Sequence, residues 1–177
     1  MAVIRVAATP ELARAELVTL RRLLDEAFEE GFTDDDWAHT IGGHHVLAEE
    51  NGAIASHASV VPRMLTAGEV PLRTGYVEGV ATPRSRRGRG LGSAVMNAVA
   101  DIIRARYELG ALATGLPEFY LRLGWERWRG PTYTDAPEGR LRTADDDDAV
   151  LILRTSVSAE LDVTRPLTCD WRTGDVW

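Results

Sequence analysis

The chain has 177 residues, enough for one domain with a real hydrophobic core, and its 45% hydrophobic and 27% charged residues are ordinary for a soluble globular protein. A net charge of −7 argues against nucleic acid as the main partner and suits a cationic ligand, although many proteins carry such charge only to stay soluble. The lone Cys169 excludes an internal disulfide and a Cys-rich metal site. Arg5 and Pro10 break the apolar opening, and no apolar run is long enough to span a bilayer, so a reducing cytoplasmic setting with no membrane partner is expected.

Residues 2–8 alternate apolar and polar and predict a strand. Pro10 and Glu11 then open a helix, with Leu12, Leu17, Leu20, Leu23, Leu24 and Phe28 at helical spacing and Gly31 at its end. Thr33 followed by Asp34, Asp35 and Asp36 reads as an N-cap with acids on the first turn of a short second helix, which Gly42 and Gly43 break. HHVLAEE, Asn51-Gly52 and AIASHASVV predict two antiparallel strands joined by a tight turn. Another strand precedes Gly68, and TGYVEGVAT is a further one, closed by Pro83. The segment SRRGRGLG is a loop leading into a long amphipathic helix from about Gly90 to Tyr107. ALAT is a brief strand, EFYLRLG a short helix, and WERWRGPTYT and AVLILRTS supply later strands. The last dozen residues form an ordered tail rich in Trp and Asp. No repeat or linker interrupts the chain, so residues 1–177 read as one domain.

The stretch GYVEGVATPRSRRGRGLGSAVMNAV carries the most information. An apolar strand runs into a loop rich in Gly and Arg, and the loop runs directly into a helix. The first amides of a helix and its positive dipole end suit an anionic diphosphate. Gly88, Gly90 and Gly92 let the backbone approach it, and Arg87 and Arg89 add charge. Taken alone, this could equally be an exposed basic helix start. It is neither a Walker loop nor a dinucleotide fingerprint.

Arg87-Gly88-Arg89-Gly90-Leu91-Gly92 resembles the R/Q-x-x-G-x-G/A signature of GNAT acyltransferases, and Phe119-Tyr120-Leu121-Arg122-Leu123-Gly124-Trp125 resembles that family's later (L/F)Y-x-x-x-G-(F/W) element. Thr33-Asp34-Asp35-Asp36-Trp37, His39-Thr40-Ile41-Gly42-Gly43, Gly75-Tyr76-Val77-Glu78 and the ending from Cys169-Asp170-Trp171-Arg172 to Gly174-Asp175-Val176-Trp177 narrow the resemblance to the aminoglycoside 2'-N-acetyltransferases over nearly the whole chain. This implies an α/β (α+β) GNAT fold, with a mixed central sheet of about six to seven strands flanked by helices. It also implies a pair of splayed strands that hold acetyl-CoA, direct transfer to the 2'-amine of the drug in a ternary complex, a role in antibiotic resistance, and a homodimer.

The resemblance implies a site as well. Val80 and Thr82 would hold the pantetheine arm, with Arg87, Gly88, Arg89, Gly90, Gly92 and Ser93 around the diphosphate. Period-two alternation puts Glu78 on one face with Val80, at a depth where a carboxylate can take the proton of the attacking ammonium. Glu78 could instead only bind the cationic substrate or pair with a basic side chain. Tyr120 carries an O–H able to protonate the departing thiolate, or serves as a packed aromatic. Acceptor contacts fall to Asp36, Glu78, Gly79, one or two of Asp145–Asp148 (Asp146 foremost), Asp175 and the terminal carboxylate of Trp177, with the two tail tryptophans docking that segment. His44 and His45 point to opposite faces, and His39 and His57 lack carboxylate partners at metal spacing, so no metal is expected.

Two departures from the family pattern bear on the acceptor. Glu30-Gly31-Phe32 lacks an Asp that usually touches the drug, and Ala113 replaces a Ser, in a shorter loop before Tyr120. Both losses would suit kasugamycin, which has no deoxystreptamine ring. The alternatives are a GNAT enzyme for another amine, such as a polyamine or a peptide N-terminus, and a module that binds acyl-CoA without catalysis.

Overall fold

The computed structural model describes residues 2–177, with Glu30 described by its backbone only. It contains two compact units, residues 2–61 with 77–101 and residues 62–76 with 102–177.

The first unit is built on a hairpin. Strands β2 (His44–Glu50) and β3 (Ala53–Ala67) meet at Asn51 and Gly52, whose φ values of 52° and 77° are those a two-residue turn of this kind demands. Strand β1 (Val3–Ala8) pairs antiparallel with β2, from Val3 opposite Glu49 to Ala8 opposite His44. A single turn of 3-10 helix over Thr9–Glu11 follows, and Leu12 returns to extended backbone. Helix α1 (Arg14–Phe28) therefore starts later than its apolar spacing predicts, at Ala13, whose N–H is capped by Glu16. Leu20, Leu23 and Leu24 turn inward and pack with Ala7, Leu47 and Ala81. Helix α2 (Asp34–His39) opens on Thr33, as its sequence demands.

Strand β3 is one strand of 15 residues rather than two, since extended backbone continues through Pro62 to Ala67. Strand β4 (Val70–Ala81) is likewise longer than expected. Helix α3 (Leu91–Arg106) follows β4 and the Gly-rich loop.

In the second unit, β5 (Leu109–Ala113) pairs in parallel with β4 over Thr74–Tyr76, and β9 (Val150–Arg154) runs antiparallel to β5. Helix α4 (Pro117–Leu121) and strand β6 (Glu126–Arg127) lie between them in sequence. Strand β7 (Thr132–Ala136) pairs antiparallel with β8 (Gly139–Arg142) and in parallel with β10 (Leu167–Asp170), which is in turn antiparallel to β3. Ten strands are present among the described residues, against the six or seven expected. The additions include β8, whose four residues are all exposed and carry no alternation, and β10, which lies within the expected tail.

Candidate active site

The end of β4 is not regular strand. Gly79 has φ +55°, a left-handed residue inside extended backbone, and marks a bulge between Glu78 and Val80. The two-residue alternation that would put those side chains on one face stops there. Only glycine fits. A Cβ at position 79 would lie 2.9 Å from Thr40 Cγ2 and 3.3 Å from Leu24 Cδ2. The bulge is tied down on its inner side. Ser59 Oγ donates to the Glu78 carbonyl at 3.2 Å, and His57 Nδ1 lies 2.8 Å from the Gly79 carbonyl. Glu78 and Val80 are half-buried, and Thr82 Oγ1 lies 2.8 Å from Ser56 Oγ.

Past Pro83 the loop makes a 3-10 turn over Arg84–Arg86 and reaches α3 through Gly88 and Gly90, at φ 75° and 78°. A Cβ on either would meet nothing within 4 Å, so the space on that side of the backbone is open. Ala94 N–H bonds the Gly90 carbonyl at 3.0 Å, so the amides of Leu91, Gly92 and Ser93 precede the first helical bond. Arg87 folds its Nε onto the Thr82 carbonyl at 3.0 Å. Arg89 pairs with Glu50 at 2.9 Å, and Arg86 reaches the same carboxylate at 3.7 Å. The arginines thus brace the loop, and Glu50 offsets part of their charge.

Tyr120, in α4, is 8% exposed, with Phe119 and Trp125 edge-on to its ring. Burial pushes its phenol up to about 12, against the opposing effect of a hydrogen bond with Thr114, so the O–H keeps its proton at neutral pH. Thr114 also accepts the Leu116 N–H at 3.0 Å and so fixes the approach to α4.

The tail docks through Trp177, which is 4% exposed and whose indole N–H donates to Thr143 Oγ1 at 2.8 Å, whereas Trp171 stays exposed. Two arginines hold it. Arg63 donates to the Asp170 carboxylate (2.8 Å), the Asp170 carbonyl (2.6 Å) and the Val176 carbonyl (2.8 Å), with its guanidinium 4.7 Å from the Tyr76 ring centre. Arg172 bonds the Asp175 carbonyl at 2.7 Å and a Trp177 main-chain oxygen at 3.1 Å. Asp146 is raised above the usual carboxylate range, first by burial and next by the charge of Asp175, so these two acids share one locality.

Other candidates have local work. Asp36 accepts from both the N–H and the hydroxyl of Thr33 at 2.8 Å, completing the α2 capping box. Asp147 pairs with Arg142 and accepts from Thr132, which draws it down to about 2. The side chain of Glu30 lies outside the described residues. No group of three or more His, Cys, Asp and Glu is placed to hold a metal ion among the described residues. Sequence reasoning missed Arg63, whose partners lie more than a hundred residues away, and also Thr114 and the His45–His57 contact, which no motif marks.

A bulged strand, a glycine loop and a helix start in succession are the framework of an acyl-CoA-dependent N-acyltransferase. The model of the acetyltransferase (GNAT) domain matches residues 9–128. A GNAT family N-acetyltransferase from Escherichia coli, solved in complex with CoA, superposes with a TM-score of 0.68 at 19% identity, covering 95% of this chain and 89% of that one. A GNAT family acetyltransferase from Brucella melitensis, solved with acetyl-CoA, gives 0.55 at 16% identity, covering 84% of this chain and 94% of that one. At these identities the likeness speaks for the fold alone.

The particular branch follows from sequence. The chain is 44% identical over 177 residues to an aminoglycoside 2'-N-acetyltransferase from Mycolicibacterium fortuitum, covering 98% of this chain and 91% of that protein. It belongs to the aminoglycoside 2'-N-acetyltransferase family of GNAT acetyltransferases.

Proposed function

We propose that the protein moves an acetyl group from acetyl-CoA to the 2'-amine of an aminoglycoside, conferring resistance to it, with residues 1–177 acting as one catalytic domain. The observation that carries this reading is the strand–bulge–loop–helix segment from Glu78 to Ser93 in a chain 44% identical to an enzyme of that name. The open side of Gly88 and Gly90 and the amides at the start of α3 fit a diphosphate, which supports the same reading. Bound acetyl-CoA supplies an activated acyl carbon and a thiolate leaving group.

The chain's own residues supply the rest. The amides of Gly88, Gly90, Gly92 and Ser93 hold the diphosphate, with Arg87 and Arg89 stiffening the loop. Main-chain groups of Val80 and Thr82 receive the pantetheine arm, and the Val80 N–H faces the oxygen on which negative charge develops. Glu78 takes the proton of the substrate ammonium, directly or through water, so that nitrogen attacks as the free amine. As the carbon–sulfur bond breaks, Tyr120 gives its proton to sulfur, and the remaining proton of the acylated nitrogen passes through water to restore the phenol; burial keeps that phenol protonated at neutral pH beforehand. The Gly79 main chain, Asp146, Asp175 and the terminal carboxylate of Trp177 meet the cationic sugar, and Asp36 has its second oxygen to offer.

For the acceptor we favour kasugamycin, because Glu30-Gly31-Phe32 and Ala113 stand where two polar contacts to deoxystreptamine drugs are expected. No helix among the described residues is long and apolar enough to cross a membrane, and we place the enzyme in the cytoplasm as a homodimer. Thiol release from acetyl-CoA, with NMR of the product, tests the function. Acetylation at a 2'-amine is expected, faster with kasugamycin than with gentamicin. Faster gentamicin turnover removes the kasugamycin preference, and no turnover of any aminoglycoside removes the substrate class.

A further inference from the structure

A line of hydrogen bonds runs inward from the β4 bulge through two histidines that the proposed mechanism does not use. The Gly79 carbonyl is 2.8 Å from His57 Nδ1, and His57 Nε2 is 3.0 Å from His45 Nδ1. His45 Nε2 is 2.9 Å from Thr9 Oγ1, which itself accepts the Gly42 N–H at 3.0 Å. Both imidazoles are fully buried, with ring centres 5.3 Å apart.

The proton positions follow from the first bond. A carbonyl only accepts, so His57 Nδ1 carries hydrogen. Burial holds both rings far below their usual range, to about 3 for His57 and about 4 for His45, so each is neutral and has one N–H. His57 Nε2 is then a lone pair and accepts from His45 Nδ1–H. That leaves His45 Nε2 to accept from Thr9, whose hydroxyl lies farther, at 3.3 Å, from the Gly43 carbonyl already bonded by Thr9 N–H. Every donor in the line has an acceptor, and each ring holds the less common Nδ1–H tautomer.

An apolar pair would fill this space without the cost of burying two imidazoles. What the pair adds is direction. The Gly79–Val80 peptide is planar and trans, so its C=O and N–H point in opposite senses. We propose that His57, braced by His45 and Thr9, is a positioning residue for acyl transfer: it holds the Gly79 carbonyl inward and thereby aims the Val80 N–H outward, at the oxygen of the reacting acyl group. This role rests on the acyl-transfer function proposed above. It also accounts for Gly79, because a side chain there would collide with Thr40 and Leu24 before the carbonyl could reach His57.

Two measurements test it. Long-range 15N–1H NMR of the free enzyme is expected to show His57 and His45 neutral, each with its proton on Nδ1. Kinetics then separate alignment from packing, because Asn places an N–H close to where Nδ1 sits and Leu does not. His57→Leu is expected to lower kcat about tenfold or more with CoA affinity within about threefold, whereas His57→Asn stays within about threefold of the parent kcat. If His57→Leu does not fold, His45→Leu serves, with a smaller fall in kcat and a His57 proton redistributed toward Nε2. A His57 proton on Nε2 in the parent enzyme overturns the proposal even if turnover is normal, as does an equal fall in the Leu and Asn variants or an undiminished kcat in Leu. A parent enzyme with the expected tautomers and no acetyl transfer condemns the function itself and takes this role with it.

Discussion

The Gly-rich loop after β4 and the acidic tail after β10 are both proposed to meet a charged ligand, yet they are held in opposite ways. In the loop the bonds to backbone carbonyls are short in sequence, Arg86 N–H to Pro83, Arg87 Nε to Thr82 and Ala94 N–H to Gly90, and only the side-chain pairs of Arg84 with Glu29 and of Arg86 and Arg89 with Glu50 reach farther. In the tail they span the chain. Arg63 reaches Asp170 and Val176 across 107 and 113 residues, and the Trp177 indole reaches Thr143 across 34. A backbone cradle for a diphosphate needs only turn-forming residues and a helix start, all adjacent. A cationic sugar needs carboxylates from separate segments, and those must be assembled by packing. Cofactor recognition should therefore survive damage that acceptor recognition does not.

The largest expected effect lies outside both regions. Tyr120→Phe should lower kcat by about a hundredfold or more while leaving affinity for CoA and for the acceptor nearly unchanged, because it removes one proton and little volume. Steady-state kinetics against direct CoA titration checks this; an unchanged kcat would remove Tyr120 as the acid.

Arg63→Met sharpens the contrast itself. Three bonds to the tail vanish, and a half-exposed Asp170 is left without its guanidinium. Stability should fall by about 2 kcal/mol in denaturant, with a rise of about tenfold in acceptor KM and an unmoved CoA dissociation constant. A parallel loss of CoA affinity would break the comparison.

The effect smallest at neutral pH is a slope. His45 and His57 have native values pulled down by burial, so between roughly pH 6.5 and their values of about 4 and 3 the unfolded chain binds more protons than the native one. Their stabilisation is complete above about pH 6.5 and is lost as pH falls through that window, by up to about 1.4 kcal/mol per pH unit for each ring. His57→Asn should flatten the dependence of unfolding free energy on pH below 6.5, read by denaturant titration at several pH values. An unchanged slope would mean that His57 titrates normally.

What could be read in the sequence divides along the same line. The Asn51-Gly52 hairpin, the Thr33 cap of α2 and the approach through Gly88 and Gly90 to α3 were legible because each is decided by neighbours within a few residues. The long strand β3 was not, because Pro62 is a breaker by local rules and only pairing partners keep the backbone extended there. Asp36 and Asp147 read by composition only as ligand contacts, and their local bonds to Thr33, Thr132 and Arg142 are structural work that composition does not show. The bulge had one visible sign, a glycine inside an apolar strand, and its meaning depends on Leu24, Thr40 and His57 closing around it. Arg63 left no trace at all.

Amide NMR of the 15N-labelled enzyme, titrated with CoA and separately with pantetheine, which lacks the diphosphate, bears most directly on the cradle. The expected result is that CoA shifts the amides of Gly88 to Ala94 and binds at least about tenfold more tightly than pantetheine, the difference residing in those amides. Equal affinity for the two, or shifts from CoA that leave the start of α3 untouched, would contradict it.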